Sequence, residues 1–415
     1  RDLVRSRGLG DVYKRQEMSK IKYILGIFLA VVLVIAGAVY IYFAHYAPLT
    51  PDADTEVTVW YANCDKMWQS FAGLADSYSK GEGAKYGITV KTKAFDSKTE
   101  LYKQLDKAID EGGSLPDMVV CDTDYAAYMA KNGVLADLGT YFGNWEASSF
   151  NKEMTEAASV DGSLVAVPIA AQTDVFMVNT ERFSDFSAIS NFEKLCSVAD
   201  EYYSRNGGSF FTITDYSLFF RTAAAQLKDD FDAVSPHETG NKNCKYIYNL
   251  LAQTAYSRGF GDGGEDAAKQ VGEGKLPCAI VSSAEVMKYA YAIDANTVDF
   301  AAYPCMKDGE PAYVEKVTGI TMTASDSNSE RASALFIRWL TSTENNSAFV
   351  GDSGNIPAAG AAVSVSDYAI YSELQGATAE RRNNSEHYTF EASAEYSVNS
   401  RSFDEILNTI MDSLN

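Results

Sequence analysis

Between residues 115 and 138 the chain reads as one strand followed closely by one helix, and that order restricts the fold more than any other feature. Pro116-Asp117-Met118-Val119-Val120-Cys121-Asp122 is an apolar run too short for a helix and rich in β-branched residues, so it reads as a buried strand. Asp124 is placed to cap a helix with Tyr125, Tyr128 and Met129 on one face, and Gly133 to end it. A second stretch, residues 164–183, holds two further strands, 165–169 and 174–179, around a polar break at Ala171-Gln172-Thr173.

The same alternation continues on both sides. Residues 57–61 read as a strand, Met67, Phe71, Leu74, Ala75 and Tyr78 as a helical stripe, and residues 88–90 as the next strand. Ser97 with Glu100 forms a capping box for a helix carrying Leu101, Leu105 and Ile109. Alternation of this kind predicts an α/β domain with a largely parallel sheet. The middle, residues 192–291, is more helical, with apolar stripes at Leu218-Phe219-Phe220 and at Tyr246-Ile247 with Leu250-Leu251. A glycine-rich turn at 259–264 precedes a strand at 278–281, and strands at 298–302 and 317–323 follow. Ser327 with Glu330 caps a helix with Ala332, Leu335, Phe336, Trp339 and Leu340 inward, and Ser402 with Glu405 opens a final one.

A strand ending in acids, a capped helix, the exit Gly133-Val134-Leu135-Ala136-Asp137-Leu138 and the crossing from Val167-Pro168-Ile169 to Asn179-Thr180-Glu181-Arg182-Phe183 occur in an order that resembles the maltose-binding-like extracellular solute-binding proteins of ABC importers. The resemblance runs over residues 56–363 and rests on order and spacing. It implies a two-lobed α/β periplasmic-binding-protein-like fold with a hinge. Crossings are expected near Pro168, near Thr297 and at 325–329, with lobe 1 formed by residues 56–168 and 298–328 and lobe 2 by 169–297 and 329–415. Ligand would lie between the lobes at the carboxyl ends of strands, where open α/β sheets bind.

Residues 24–44 carry no charge and are long enough to cross a bilayer, with Lys20 and Lys22 before them. This predicts one N-terminal transmembrane helix over residues 18–45, holding the domain outside the cytoplasm through a linker at 46–55. A cleaved signal ending at Ala36-Gly37-Ala38 is the alternative. Residues 1–17 read as an upstream segment and are set aside. The family's usual lipidation cysteine is missing near this span.

A net charge of −21 argues against nucleic acid as a partner, because such binding needs an excess of Lys and Arg. Six cysteines in an exported chain allow disulfides, and for Cys121, inside a strand pattern, a buried reduced thiol stands level with that reading.

Candidate ligand contacts come from aromatic and polar residues at strand ends. An aromatic face takes the apolar side of a sugar ring, and neighbouring amides and carboxylates orient its hydroxyls. Trp60, Tyr61, Asn63, Asp65 and Trp68 leave the first strand; Asn63 and Asp65 also suit helix capping. Asp122 suits hydroxyl recognition, and Asp124 suits either recognition or capping. Gln172, Thr173 and Asp174 lie at the first crossing. Tyr216 and Arg221 open a helix, and Arg221 suits an anionic ligand or a surface acid. Ser282, Ser283, Glu285, Thr318 and Gly319 follow strands that the resemblance puts on the cleft wall, and Asn355 sits in an Asn-x-Pro turn of the family.

Gly351-Asp352-Ser353-Gly354 resembles a trypsin-like nucleophile loop, but that chemistry needs a histidine and an aspartate upstream in a β-barrel. The three histidines, His45, His237 and His387, do not supply that setting. The expectation is therefore a monomeric receptor that performs no chemistry, uses no cofactor or metal, and delivers a small solute to an ABC permease. A carbohydrate comes first; a phosphorylated polyol, a polyamine or a metal complex stays open. The alternatives are a glycosidase-like hydrolase working through paired carboxylates, and a sensor or adhesion module with the same fold.

Overall fold

The computed structural model describes residues 31–35, 49–142, 150–229, 241–261, 266–361 and 366–395. The strands in chain order are β1 (Thr55–Ala62), β2 (Ile88–Phe95), β3 (Met118–Asp122), β4 (Ser159–Val160), β5 (Ser163–Leu164), β6 (Val167–Gln172), β7 (Asp174–Asn179), β8 (Cys278–Ser282), β9 (Val298–Ala301), β10 (Ala312–Val314), β11 (Lys316–Met322), β12 (Ile356–Pro357) and β13 (Glu386–Tyr388). They build a six-stranded sheet in the order β12-β6-β11-β3-β1-β2 and a three-stranded sheet in the order β8-β7-β9. Two further strand pairs, β10-β13 and β4-β5, stand apart. The two sheets are the centres of two lobes.

β1 alternates with period two, as a strand between two helical layers must. Val57, Val59 and Tyr61 are buried on one face, where Tyr61 packs on Phe71 with ring centroids 4.8 Å apart. Ala62 and Trp60 join the opposite face with Leu101, Leu105, Val119 and Tyr125. In the second lobe β7 divides likewise. Val175 and Met177 pack with Ala279 and Val281 on one side, and Phe176 and Val178 pack with Phe192, Phe211 and Ile280 on the other. The helix Lys98–Glu111 starts on the expected N-cap, with Ser97 accepting the Glu100 N–H.

Three expectations are corrected. The larger sheet is mixed: β1 pairs in parallel with β2 and β3, whereas β11 is antiparallel to both β3 and β6, and β12 is antiparallel to β6. Asp124 does not cap its helix. Asp122 holds the N-cap position of Thr123–Lys131 without a side-chain cap bond, and Asp124 is turned inward to an arginine. Asp326, not Ser327, caps Ser327–Leu340, accepting from the N–H groups of Asn328 and Ser329. The cysteines, whose pairing the sequence leaves open, are all six free.

The expected lobe boundaries also differ from the sheets. Pro168 lies inside β6 opposite Gly319, where the register with β11 shifts, so its missing N–H falls at an irregularity rather than at a hinge. The chain leaves the first sheet after Gln172. β9 still belongs to the second sheet, and β11 to the first, so the return falls after Ala301. The helix Ser327–Leu340 packs on β1 and belongs to the first lobe. The third crossing falls between β12 and the helix Ala369–Asn384, whose Ile370, Tyr371 and Leu374 enter the core of Val175 and Met177.

The expected membrane helix and the final helix lie outside the described residues, apart from residues 31–35, which are helical. Among the described residues no helix is long and apolar enough to cross a membrane.

Candidate functional site: the carboxyl edge of the larger sheet

β1 and β3 end, and the antiparallel β11 begins, at one edge of the larger sheet; β6 also ends there, facing the first crossing. This edge collects buried charge. Asp122, 8% exposed at the end of β3, takes Lys98 Nζ on Oδ1 at 2.5 Å and lies 3.5 Å from Lys316 Nζ through Oδ2. The Thr318 hydroxyl donates to its Oδ1 at 3.3 Å. Lys316 also holds Asp215 Oδ2 at 2.8 Å. Because Lys316 is in the first lobe and Asp215 caps the second-lobe helix Tyr216–Gln226, this amine ties the lobes together.

Burial opposes charge on Asp122, but Lys316, Lys98 and the hydrogen bonds outweigh it and hold the carboxyl well below the usual range. Burial likewise opposes charge on Lys98 and Lys316. Asp122 beside Lys98, and Asp122 and Asp215 beside Lys316, keep both amines above the ordinary lysine value. Each cation thus has a carboxylate, and the chain Lys98, Asp122, Lys316, Asp215 carries no net charge.

Around this core stand other expected residues. Asp65 accepts the Met67 N–H at 2.9 Å, is neighboured by Lys98 and Asn355, and is raised by burial. Asn63 is exposed, and its own N–H donates to Phe95 at 2.8 Å. Asn355 is buried, with its amide nitrogen 3.1 Å from Ser353 Oγ. Gln172 pairs opposite Lys316 at the end of β6. Ser282 caps the helix Ser283–Lys288 by accepting the Glu285 N–H. Ser283 N–H donates to Thr173 O at 2.8 Å, joining the second lobe to the first crossing.

Several expected contacts face elsewhere. Tyr61 and Trp68 are core residues, 4% and 2% exposed, with Trp68 stacked edge-on against Phe71 and Phe349. Period two explains this: Tyr61 must share the face of Val57 and Val59. Trp60 faces the other way, beside Phe95 and under Lys93, whose Nζ is 4.1 Å from the ring centroid. Tyr216 packs against the second-lobe core beside Phe260. Gly319 is a packing position, since a Cβ there would sit 2.9 Å from Val167 O. Arg221 and Asp124 pair with each other at 2.7 Å, both buried. Thr173 and Asp174 are fully buried at the crossing, where Thr173 Oγ1 donates to Val314 O at 2.9 Å. Burial, and then Asp215, push the Asp174 carboxyl well up.

Sequence reasoning missed Lys98, Lys316 and Asp215. A lysine that opens an apolar strand, as Lys316 does before Val317, was the available signal.

Glu285, held against Ala268 in the second lobe, gives the fold a pH dependence. Burial raises it from 4.5 to about 7, against an Ala268 N–H donated at 3.0 Å. The folded state holds this proton more tightly than the unfolded chain. Its stabilisation is therefore complete below about pH 4.5 and is lost as pH rises through about 7, with Asp174 acting in the same direction. Melting temperatures of native protein and Glu285→Gln from pH 5 to 8 should diverge, the native value falling more steeply. Parallel curves would refute the assignment.

The sequence profile of a bacterial extracellular solute-binding protein family matches residues 74–375. No curated protein sequence matches the chain. Among solved structures, the maltose-bound T. maritima MalE3 is similar at 17% identity and a TM-score of 0.65, covering 86% of this chain and 94% of its own. The cyclic alpha-maltosyl-1,6-maltose binding protein from Arthrobacter globiformis is 17% identical, with a TM-score of 0.60 and coverage of 87% and 96%. An ABC transporter solute binding protein from Agrobacterium radiobacter K84, in complex with ribitol, is 16% identical, with a TM-score of 0.64 and coverage of 88% and 98%. These structures share the overall fold of the chain, and the profile spans most of it: the chain belongs to the bacterial extracellular solute-binding protein family.

Proposed function

We propose that the chain is an extracytoplasmic receptor that traps a neutral, polyhydroxylated solute, a carbohydrate, between its lobes and delivers it to an ABC permease. The observation that carries the reading is the charge-matched chain of Lys98, Asp122, Lys316 and Asp215 among hydroxyl and amide groups. An anionic solute would find no surplus of cations there, because Asp65 adds a carboxylate to the four matched groups, whereas a sugar finds donors and acceptors for its hydroxyls. The sugars and the polyol bound by the similar structures support the same class. Asn63, Asp65, Asp122, Gln172, Ser282, Thr318 and Asn355 are the proposed contacts, joined by Lys98 and Lys316. The lobes would meet at residues 172–174 and 301–316 and between β12 and the helix that begins at Ala369. Tethering through residues 24–44 and a monomeric state complete the proposal, and the net charge of −21 supports a partner other than nucleic acid.

A thermal-shift screen over sugars, polyols, polyamines and anions, followed by calorimetry and product analysis on the best ligand, tests this. Binding of a sugar without turnover is expected. Asp122→Asn should weaken it roughly ten- to a hundredfold, because a charge-assisted hydrogen bond is worth about 1.5–3 kcal/mol. Cleavage of the sugar by the native protein would replace the receptor reading with the hydrolase. Preference for a polyamine or anion would overturn the solute class.

A further inference from the structure

After its third crossing the chain crosses the lobes once more. The helix Ala369–Asn384 lies in the second-lobe core, and β13 then pairs in parallel with β10, Ala312 opposite Glu386 and Val314 opposite Tyr388. Tyr388 and Phe390 pack against Leu218 and Ala225 of the second-lobe helix Tyr216–Gln226. Two residues later, Ala392 and Ala394 are buried in the first-lobe core with Tyr125 and Ala126. Ala392 N–H donates to Ser159 O at 3.2 Å, and Ser393 N–H donates to Asp124 Oδ1 at 2.9 Å. That same oxygen takes Arg221 Nη2 from the second lobe at 2.7 Å, while the Arg221 guanidinium lies 5.4 Å from the Phe390 ring centre.

We propose that residues 386–395 are a strap that latches the two lobes together and lets go of the first lobe when they part. The proposal rests on the reading of the chain as a two-lobed receptor and adds a control on its closure. Two residues of extended chain span at most about 7 Å, so Phe390 and Ala392 cannot both stay docked through a wide opening. The first-lobe end is the weaker. It offers two alanines, one hydrogen bond to a backbone carbonyl, one to the Asp124 carboxylate and the exposed Lys131–Glu395 pair, against two aromatic rings and a strand pairing on the other side. Asp124 couples the events. Withdrawal of Arg221 leaves its carboxylate held chiefly by the strap, and release of the strap removes an N–H from the carboxylate that anchors Arg221.

Hydrogen exchange on the full chain without solute, and X-ray scattering of Ser393→Pro, which lacks the donating N–H, test the strap. Amides of Ala392 and Ser393 should exchange at least about tenfold faster than those of Val119 and Val120 in the first-lobe sheet, a difference of about 1.4 kcal/mol in opening free energy. Ser393→Pro should have a larger solute-free radius of gyration than the native protein. Strap amides as protected as the sheet would overturn the proposal, whether or not the variant folds. So would an unchanged scattering profile in a variant with native circular dichroism. Neither readout needs a ligand, so failure to find a sugar would count against the receptor reading and leave the strap standing.

Discussion

Replacing Arg221 with methionine should lower the free energy of unfolding by about 3–5 kcal/mol, the usual cost of stranding one charge of a buried pair. Arg221 is 7% exposed and Asp124 6%, and their contact at 2.7 Å spans the two lobes. Without the guanidinium, Asp124 keeps the Ser393 N–H and the more distant influence of Lys316. That partial compensation places the expected loss near the lower end of the range. Arg221→Met with Asp124→Leu should recover most of it, because the double change removes both desolvated charges and fills the space with apolar atoms. Urea titrations of the native protein, both single variants and the double variant measure this. A single variant as stable as the native protein, or a double variant no better than the worse single one, would mean that the pair is not the buried lock described here.

The element order was readable because its signals are local. A five-residue buried strand, an N-cap at Ser97, and a left-handed glycine at Gly133 each act within a few residues, and each appears where the sequence places it. The lobe boundaries were not, because they depend on which sheet a strand joins. Pro168 looks like a break in one dimension, but it sits at a register irregularity within β6. Likewise Ser327–Leu340 carries an ordinary amphipathic stripe, and nothing local says which lobe that stripe covers.

The site was half legible for a similar reason. Acids at the end of β3 announce themselves, since a charged residue closing an apolar strand needs a partner. The partners, Lys98 and Lys316, lie 24 residues upstream and 194 downstream of Asp122, and only the sheet brings them together. Aromatic residues near a strand end misled for the opposite reason. Strand periodicity, applied strictly, would have placed Tyr61 on the core face with Val57 and Val59.

Alanine at Gly354 should reduce solute affinity by roughly a hundredfold, about 2.7 kcal/mol, while leaving most of the stability in place. Gly354 has φ +79° in the first-lobe loop before β12, a conformation that costs an alanine about 1–2 kcal/mol. The larger effect is steric. A Cβ there would lie 2.2 Å from Ser283 O and 2.9 Å from Met287 Cγ, atoms of the second lobe. Lobes packed this closely cannot accept the methyl group, so the variant is held toward the open state and its apparent affinity falls with the closed fraction. Gly351→Ala supplies the control. It has φ +52° and ψ −138°, a region kept for glycine, so an alanine there carries at least as much backbone strain, but its Cβ would meet only Ala348 O at 3.4 Å and makes no collision between lobes. Calorimetry with the sugar found by screening should therefore separate the two variants sharply, and scattering at saturating sugar should find Gly354→Ala wider than Gly351→Ala. Equal affinities would mean that the approach of Gly354 to Ser283 has no part in holding the solute.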